Sequence, residues 1–274
     1  MAKEDLRAAW QETSHAQYFD AWAEFSNNRL RGVCESFNEV RSFLKNKHTI
    51  QGRDLLEIAC ATGEFSRYIN TYHSEFHYRG LDISEPAIHR ARAKYPTASF
   101  DLCRPDLSDV VSSGVSPTVL WARDVVHHQP DPFEYLSTLL SIAKEVTVLR
   151  IRTRDNGASI IDPEISCQWH YNHWVPYIIL NIDEVLGFIQ KTISVKKIFV
   201  AKRYVQLGGL YNRFVPKDCY YPETGTAETA LYIEHSSVSV NSPEIVISQK
   251  EDTDYVAPLW LRGVTYMRRK YFLK

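Results

Sequence analysis

Two adjacent imidazoles, His127 and His128, stand three and four residues after an aspartate, Asp124. Histidine titrates near neutral pH and suits proton transfer with an acceptor group. Asp124 is read as the partner that orients a histidine or holds the amino end of a ligand. These three are the candidate catalytic residues. A second constellation lies upstream, in Glu57-Ile58-Ala59-Cys60-Ala61-Thr62-Gly63. An acidic residue leads into a loop of small side chains, which lets backbone approach a ligand closely. N–H groups at the start of a following helix favour polar or anionic groups, such as an amino-acid carboxylate. Asp82 ends the next apolar run, where an acidic side chain can accept both hydroxyls of a ribose. The ligand described by these residues is a nucleoside joined to an amino acid.

A third group is aromatic: Trp169, His170, His173, Trp174 and Tyr177. His170 and His173 would share one face of a helix, but no H-E-x-x-H pattern or carboxylate partner accompanies them, so no metal is assigned. They are read with the tryptophans and Tyr177 as the lining of an acceptor pocket, suited to a planar substrate or the apolar face of a sugar. The alternative for each is plain core packing. Tyr18 and Trp22 fall in a helical N-terminal region and are read as further substrate contacts, the alternative being packing on the sheet.

The elements that must position these groups alternate. Apolar runs over 54–59, 78–83, 98–102, 118–122 and 145–152 predict strands, and 66–72, 85–95 and 131–144 predict the helices between them. Ser84-Glu85-Pro86 supplies a capping serine and an early proline to one of these helices. A helix over 181–190 and strands over 193–205 and 230–235 follow. Such alternation implies a parallel sheet with helices on both faces and ligands beyond the C-terminal ends of its strands. Residues 4–45 read as helical.

At these loops the chain resembles the class I S-adenosylmethionine-dependent methyltransferases. Four stations carry the resemblance, across roughly residues 50 to 153: the Glu57–Gly63 stretch, Gly80-Leu81-Asp82-Ile83-Ser84, Cys103-Arg104-Pro105-Asp106, and the segment from Ala122 to Pro132. It implies a Rossmann-like, doubly wound, mostly parallel seven-stranded sheet with a helical N-terminal lid. It implies S-adenosylmethionine as cofactor and S-adenosylhomocysteine as product, held by Glu57, Ala59, Cys60, Ala61, Gly63, Asp82, Ile83, Arg104, Asp106 and Arg123. Ala59 and Ala61 depart from the family pattern, standing where glycine is usual. Neither a dinucleotide fingerprint nor a P-loop is present.

The domain plan is a lid region over 1–48, a methyltransferase domain over 49–236 and an extension over 237–274. Within the domain lie a substrate-specific insert at 154–180 and a long loop at 206–228. The expected reaction is methyl transfer to a small molecule or a glycan, O-methylation ahead of N-methylation. The rivals are a non-catalytic scaffold of the same fold and a nucleic-acid methyltransferase. Thirty-two Lys and Arg against 33 Asp and Glu leave a formal charge of −1, which argues against a nucleic-acid coater. No D-P-P-Y-type tetrad or P-C nucleophile is present. Five cysteines without a C-x-x-C point to a reducing compartment. With no apolar run near a membrane span's length, a soluble cytoplasmic protein is expected. The basic, aromatic tail around Arg268-Arg269-Lys270 is a place for weak peripheral membrane contact.

Overall fold

The computed structural model describes residues 8–12, 22–170, 172–209, 212–220, 225–240 and 242–251. Tyr18 and the tail around Arg268 lie outside them. Among the described residues the helices Ala8–Gln11 (α1), Asn27–Ser36 (α2) and Asn38–Asn46 (α3) come first. The alternating part then runs Asp54–Ile58 (β1), Glu64–Tyr72 (α4), His77–Asp82 (β2), Glu85–Lys94 (α5), Ser99–Leu102 (β3), Ser108–Ser112 (α6), Val119–Arg123 (β4), Pro132–Ile142 (α7) and Val146–Arg154 (β5). After it come Cys167–His170 (β6), His173–Pro176 (β7), Leu180–Asn181 (β8), Ile182–Thr192 (α8), Val195–Tyr204 (β9), Arg213–Phe214 (β10), Ala227–His235 (β11) and Glu244–Glu251 (β12).

The main sheet has nine strands in the order β12-β9-β11-β5-β4-β1-β2-β3, with β8 paired to β5. Seven match the expected count. The other two are the two-residue β8 and the edge strand β12, which the 237–274 extension contributes. β11 alone runs antiparallel, between β5 and β9. From β1 the chain first fills one side with β2 and β3, then crosses to β4 and β5. That reversal opens a crevice at the C-terminal ends of β1 and β4.

Both sheet faces are covered. Leu136, Leu139 and Leu140 of α7 and Val185 and Ile189 of α8 pack on one. Val40 and Phe43 of α3 pack on the other, with Phe65, Tyr68 and Ile69 of α4 and the buried Trp121. Each such side chain is worth roughly 1.5–3 kcal/mol of burial. The N-terminal region therefore divides. α3 belongs to the core layer of the sheet, while Trp10 and Trp22 reach the crevice.

The segment 167–176 is not a helix. It is a hairpin, β6–β7, joined by β10 into a small antiparallel sheet of its own. His170 pairs with His173 across the turn at Asn172, whose φ is +63°. The period of two, not a helical period, decides what each residue faces.

The loop after β1 carries strain at the two unusual positions. Ala59 and Ala61 hold φ of +60° and +49°, and Gly63 holds +83°. A Cβ on Gly63 would sit 2.6 Å from the Phe100 ring, so glycine is required there on space as well. Left-handed backbone costs an L-residue roughly 1–2 kcal/mol. Glycine would relieve that, against roughly 0.4–1 kcal/mol of added unfolded-state entropy. Urea unfolding should therefore find A59G/A61G as stable as the wild type or more so, by up to about 1 kcal/mol per site, and A61V less stable. A double-glycine variant clearly less stable than wild type would contradict the left-handed loop.

Candidate active site

A cavity of about 400 Å³ opens at the crevice. Its floor is the first loop, from Ile58 to Ala61, with Asp82 and Ile83 beside it. Asp82 is buried at the end of β2, and both its oxygens are placed by backbone. Ala61 N–H donates to Oδ2 at 2.8 Å, and Ser84 N–H donates to Oδ1 at 2.9 Å. Each oxygen retains a lone pair for a ribose hydroxyl. Burial raises the Asp82 pKa to about 6, against the opposing pull of these N–H groups. The floor thus fits a nucleoside: a rigid acceptor pair beside a loop of small side chains.

Other residues expected on the cofactor side take different places. Glu57 faces the core, not the cavity. Its carboxylate accepts from the Tyr78 hydroxyl and from Arg123 Nη2 at 2.9 Å. Arg123 does line the cavity, with its guanidinium 4.4 Å from the Phe65 ring centre. After β3, Cys103 and Pro105 line the cavity while Arg104 and Asp106 are exposed. Asp106 accepts the N–H and hydroxyl of Ser108 at the start of α6.

The far wall is built on Asp124, which follows β4 at φ +55°. Its Oδ2 accepts from Arg150 Nη2, and Arg152 Nη1 lies 3.1 Å from its Oδ1 as an ion pair. Arg150 also pairs with the fully buried Glu39 of α3 at 3.2 Å, and Arg152 with Glu228 of β11 at 3.1 Å. Burial works to raise the Asp124 pKa, but the two arginines outweigh it and hold the carboxyl well below its ordinary range. Asp124 is therefore a fixed anion and a poor proton acceptor.

His127 and His128 form the rim above it, with ring centres 4.1 Å apart. The insert after β5 is zipped onto them. Ile178 N–H donates to the His127 carbonyl at 2.8 Å, and His128 Nδ1 meets the Pro176 carbonyl at 2.7 Å. A carbonyl only accepts, so Nδ1 carries the proton and Nε2 is left as an acceptor. Burial pushes the His128 pKa down to about 3 and His127 well below its ordinary value. Both are neutral at physiological pH and weak as bases.

The hairpin roofs the cavity by alternation. Gln168 and His170 point in, and Arg213 of β10, in register with Gln168, points in beside them. Trp169 and Trp174 fall on the other side, packed together at 5.1 Å, with Phe214 against Trp174. His173 turns to Glu12. Of the aromatic residues expected at the acceptor, Trp22, His170 and Tyr177 line the cavity and Trp169, His173 and Trp174 do not. Trp10, Phe37, Arg150, Arg152, Gln168 and Arg213 join the lining without having been anticipated. A signal existed for two of them: Arg150, Arg152 and Arg154 alternate in an otherwise apolar strand.

Two expectations follow. Removing one partner of a buried ion pair costs roughly 3–5 kcal/mol. The Asp124 side chain is 30% exposed, so D124N should cost less, about 1–3 kcal/mol in urea unfolding. The folded-state pKa is depressed, so this contribution is present above about pH 4 and is lost as pH falls below it. The gap between mutant and wild type should close on acidification. Asp82 gives a window at higher pH. Ribose hydroxyls need its ionised form, so affinity for S-adenosylhomocysteine should fall as pH drops through about 6. D82N should bind roughly tenfold to a hundredfold more weakly, without that pH step.

Residues 56–149 match the family model of a methyltransferase domain. No curated protein matches the chain. Solved structures of similar fold include magnesium protoporphyrin IX methyltransferase from Synechocystis PCC 6803 with bound S-adenosylhomocysteine, at 13% identity and a TM-score of 0.52, covering 85% of this chain and 100% of that one. The N-terminal domain of EvdMO1, also with S-adenosylhomocysteine, shares 9% identity at a TM-score of 0.55, covering 82% of this chain and 95% of its own. An O-methyltransferase from a polyketide synthase multienzyme of Brevibacillus brevis shares 10% identity at a TM-score of 0.51, covering 73% of each. Among the described residues no helix is long and apolar enough to cross a membrane, and no three His, Cys, Asp or Glu are grouped to hold a metal ion. The matched domain, the strand order and the Asp82 floor agree: residues 56–149 are similar to a methyltransferase domain, set in the fold shared with S-adenosylmethionine-dependent methyltransferases.

Proposed function

We propose that the protein methylates an oxygen of a small molecule or a sugar that enters beneath the β6–β7–β10 roof. The observation that carries this reading is the continuity of the cavity, from the Asp82 floor to the His127–His128 rim and Tyr177. A roofed cavity of about 400 Å³ suits a small acceptor better than a nucleic-acid surface. The formal charge of −1 supports the same choice. One solved structure of similar fold is named an O-methyltransferase, which agrees with oxygen as the accepting atom.

The bound cofactor supplies a methyl group activated on a sulfonium sulfur. The chain supplies position. Asp82 fixes the nucleoside end, and the small first loop lets the amino-acid end approach. The ionised Asp124 gives the far wall a fixed negative charge for the cofactor's amino group. His128 presents its ring to the acceptor side of the cavity, in an orientation set by the Pro176 carbonyl. Alignment of this kind is worth roughly 7–11 kcal/mol of barrier, with no contribution needed from a strong base.

Mass spectrometry of candidate acceptors incubated with the protein and cofactor should show gain of one methyl group. H128A should lower turnover about tenfold while cofactor affinity is kept, because His128 touches the acceptor and not the nucleoside. H127A should chiefly lower stability, since His127 is 1% exposed. At saturating cofactor, where the Asp82 step in affinity does not enter, the pH–rate profile should lack a limb near pH 6.5, since the His128 pKa is about 3. A rate falling with a midpoint near 6.5, abolished in either histidine variant, would show a titrating base and contradict this reading.

A further inference from the structure

The arginines of the cavity are unequally matched. Arg123 has Glu57, Arg150 has Asp124 and Glu39, and Arg152 has Asp124 and Glu228. Arg213 has no carboxylate partner among the described residues. Its Nε is buried and without a hydrogen-bond partner. Its guanidinium rests 4.8 Å from the ring centre of Tyr177. That ring is itself fixed, its hydroxyl accepting from Arg152 Nε at 3.1 Å, and it lies 5.5 Å from His127. The β10–β6 register turns Arg213 inward beside Gln168, over the histidine rim where acceptor and methyl group should meet.

A half-buried guanidinium without a counter-charge favours an anion beside it, and its planar fork matches a carboxylate in shape as well as sign. A second observation points the same way. A hydroxyl acceptor must give up a proton during transfer, and the rim offers no good proton acceptor. Burial leaves His127, His128 and His170 neutral, and Asp124 is engaged by two arginines. An acceptor that is already an anion has no proton to lose.

We propose that the methyl acceptor is an organic carboxylate, its charge met by Arg213 above the His127–His128 rim. This rests on the methyl-transfer reading and narrows it to ester formation. A lone pair on one carboxylate oxygen forms the new bond to the methyl carbon. The methyl carbon–sulfur bond breaks and its electron pair stays on sulfur. The carboxylate's negative charge and the sulfonium's positive charge are both cancelled, and no proton moves. The products are a methyl ester and S-adenosylhomocysteine.

Calorimetry on the full chain tests this in sequence. S-Adenosylhomocysteine is titrated first. Benzoate, benzamide and benzyl alcohol are then titrated into the loaded protein. Benzoate should bind at least roughly tenfold more tightly than either neutral probe. R213Q should erase that preference while its affinity for S-adenosylhomocysteine and its melting temperature stay close to wild type. With para-hydroxybenzoate and methyl-labelled cofactor, label should enter the ester and be released as methanol by mild base. Equal binding of benzyl alcohol and benzoate, an unchanged preference in R213Q, or a base-stable para-methoxy product would overturn the carboxylate assignment. Weaker S-adenosylhomocysteine binding in R213Q would assign the guanidinium to the cofactor's own carboxylate, with the same consequence. Failure of the wild type to bind S-adenosylhomocysteine would overturn the methyl-transfer reading itself, and this proposal with it.

Discussion

Asp124 leaves β4 at a left-handed backbone position and drops its carboxylate between the guanidinium groups of Arg150 and Arg152. A non-glycine residue at positive φ costs roughly 1–3 kcal/mol and persists only where its surroundings over-determine it. Here they do. Asp124 N–H donates to the Arg150 carbonyl at 3.1 Å, carrying the β4–β5 pairing one residue past the strand. Arg150 and Arg152 lie two apart on β5 and so share a face. Glu39 reaches the same charges from a helix on the sheet, and Glu228 from the antiparallel neighbour of β5. Sheet, N-terminal helix and active-site turn are thereby held by one set of charges. The turn in turn sets where His127 and His128 begin.

The two halves of the cavity answer to different physics. The floor is a backbone device: N–H groups hold both oxygens of Asp82, and small side chains leave room above the loop. The roof is a side-chain device. Strand alternation in β6, β7 and β10 sends Gln168, His170 and Arg213 inward and stacks Trp169, Trp174 and Phe214 into a small apolar layer on the outside. That layer packs the outer side of the hairpin and leaves Gln168, His170 and Arg213 facing the cavity. A common floor with a separate roof lets one fold serve many acceptors.

Much of this was legible in the chain, and the exceptions have causes. The βα alternation from residue 54 to 154 and the acidic end of β2 were readable because each depends on local patterning. The left-handed alanines were readable as an anomaly, though not their φ values. The aromatic segment misled. Two histidines three apart suggest a helix face, but the left-handed Asn172 turns the chain into a hairpin and sends His170 and His173 to different partners. Glu57 looked like a ligand of the cofactor, yet its neighbours Tyr78 and Arg123 come from other strands, which no local pattern shows. Arg213 was invisible for the same reason. Its inward aim is set by pairing with a strand more than forty residues earlier.

The most direct measurement is a crystal structure of the protein with S-adenosylhomocysteine. The ribose hydroxyls should lie on the Asp82 carboxylate, and the sulfur should face the rim formed by Asp124, His127 and His128. A ligand seated elsewhere, or one whose sulfur points away from that rim, would contradict the assignment of floor and roof on which the reaction depends.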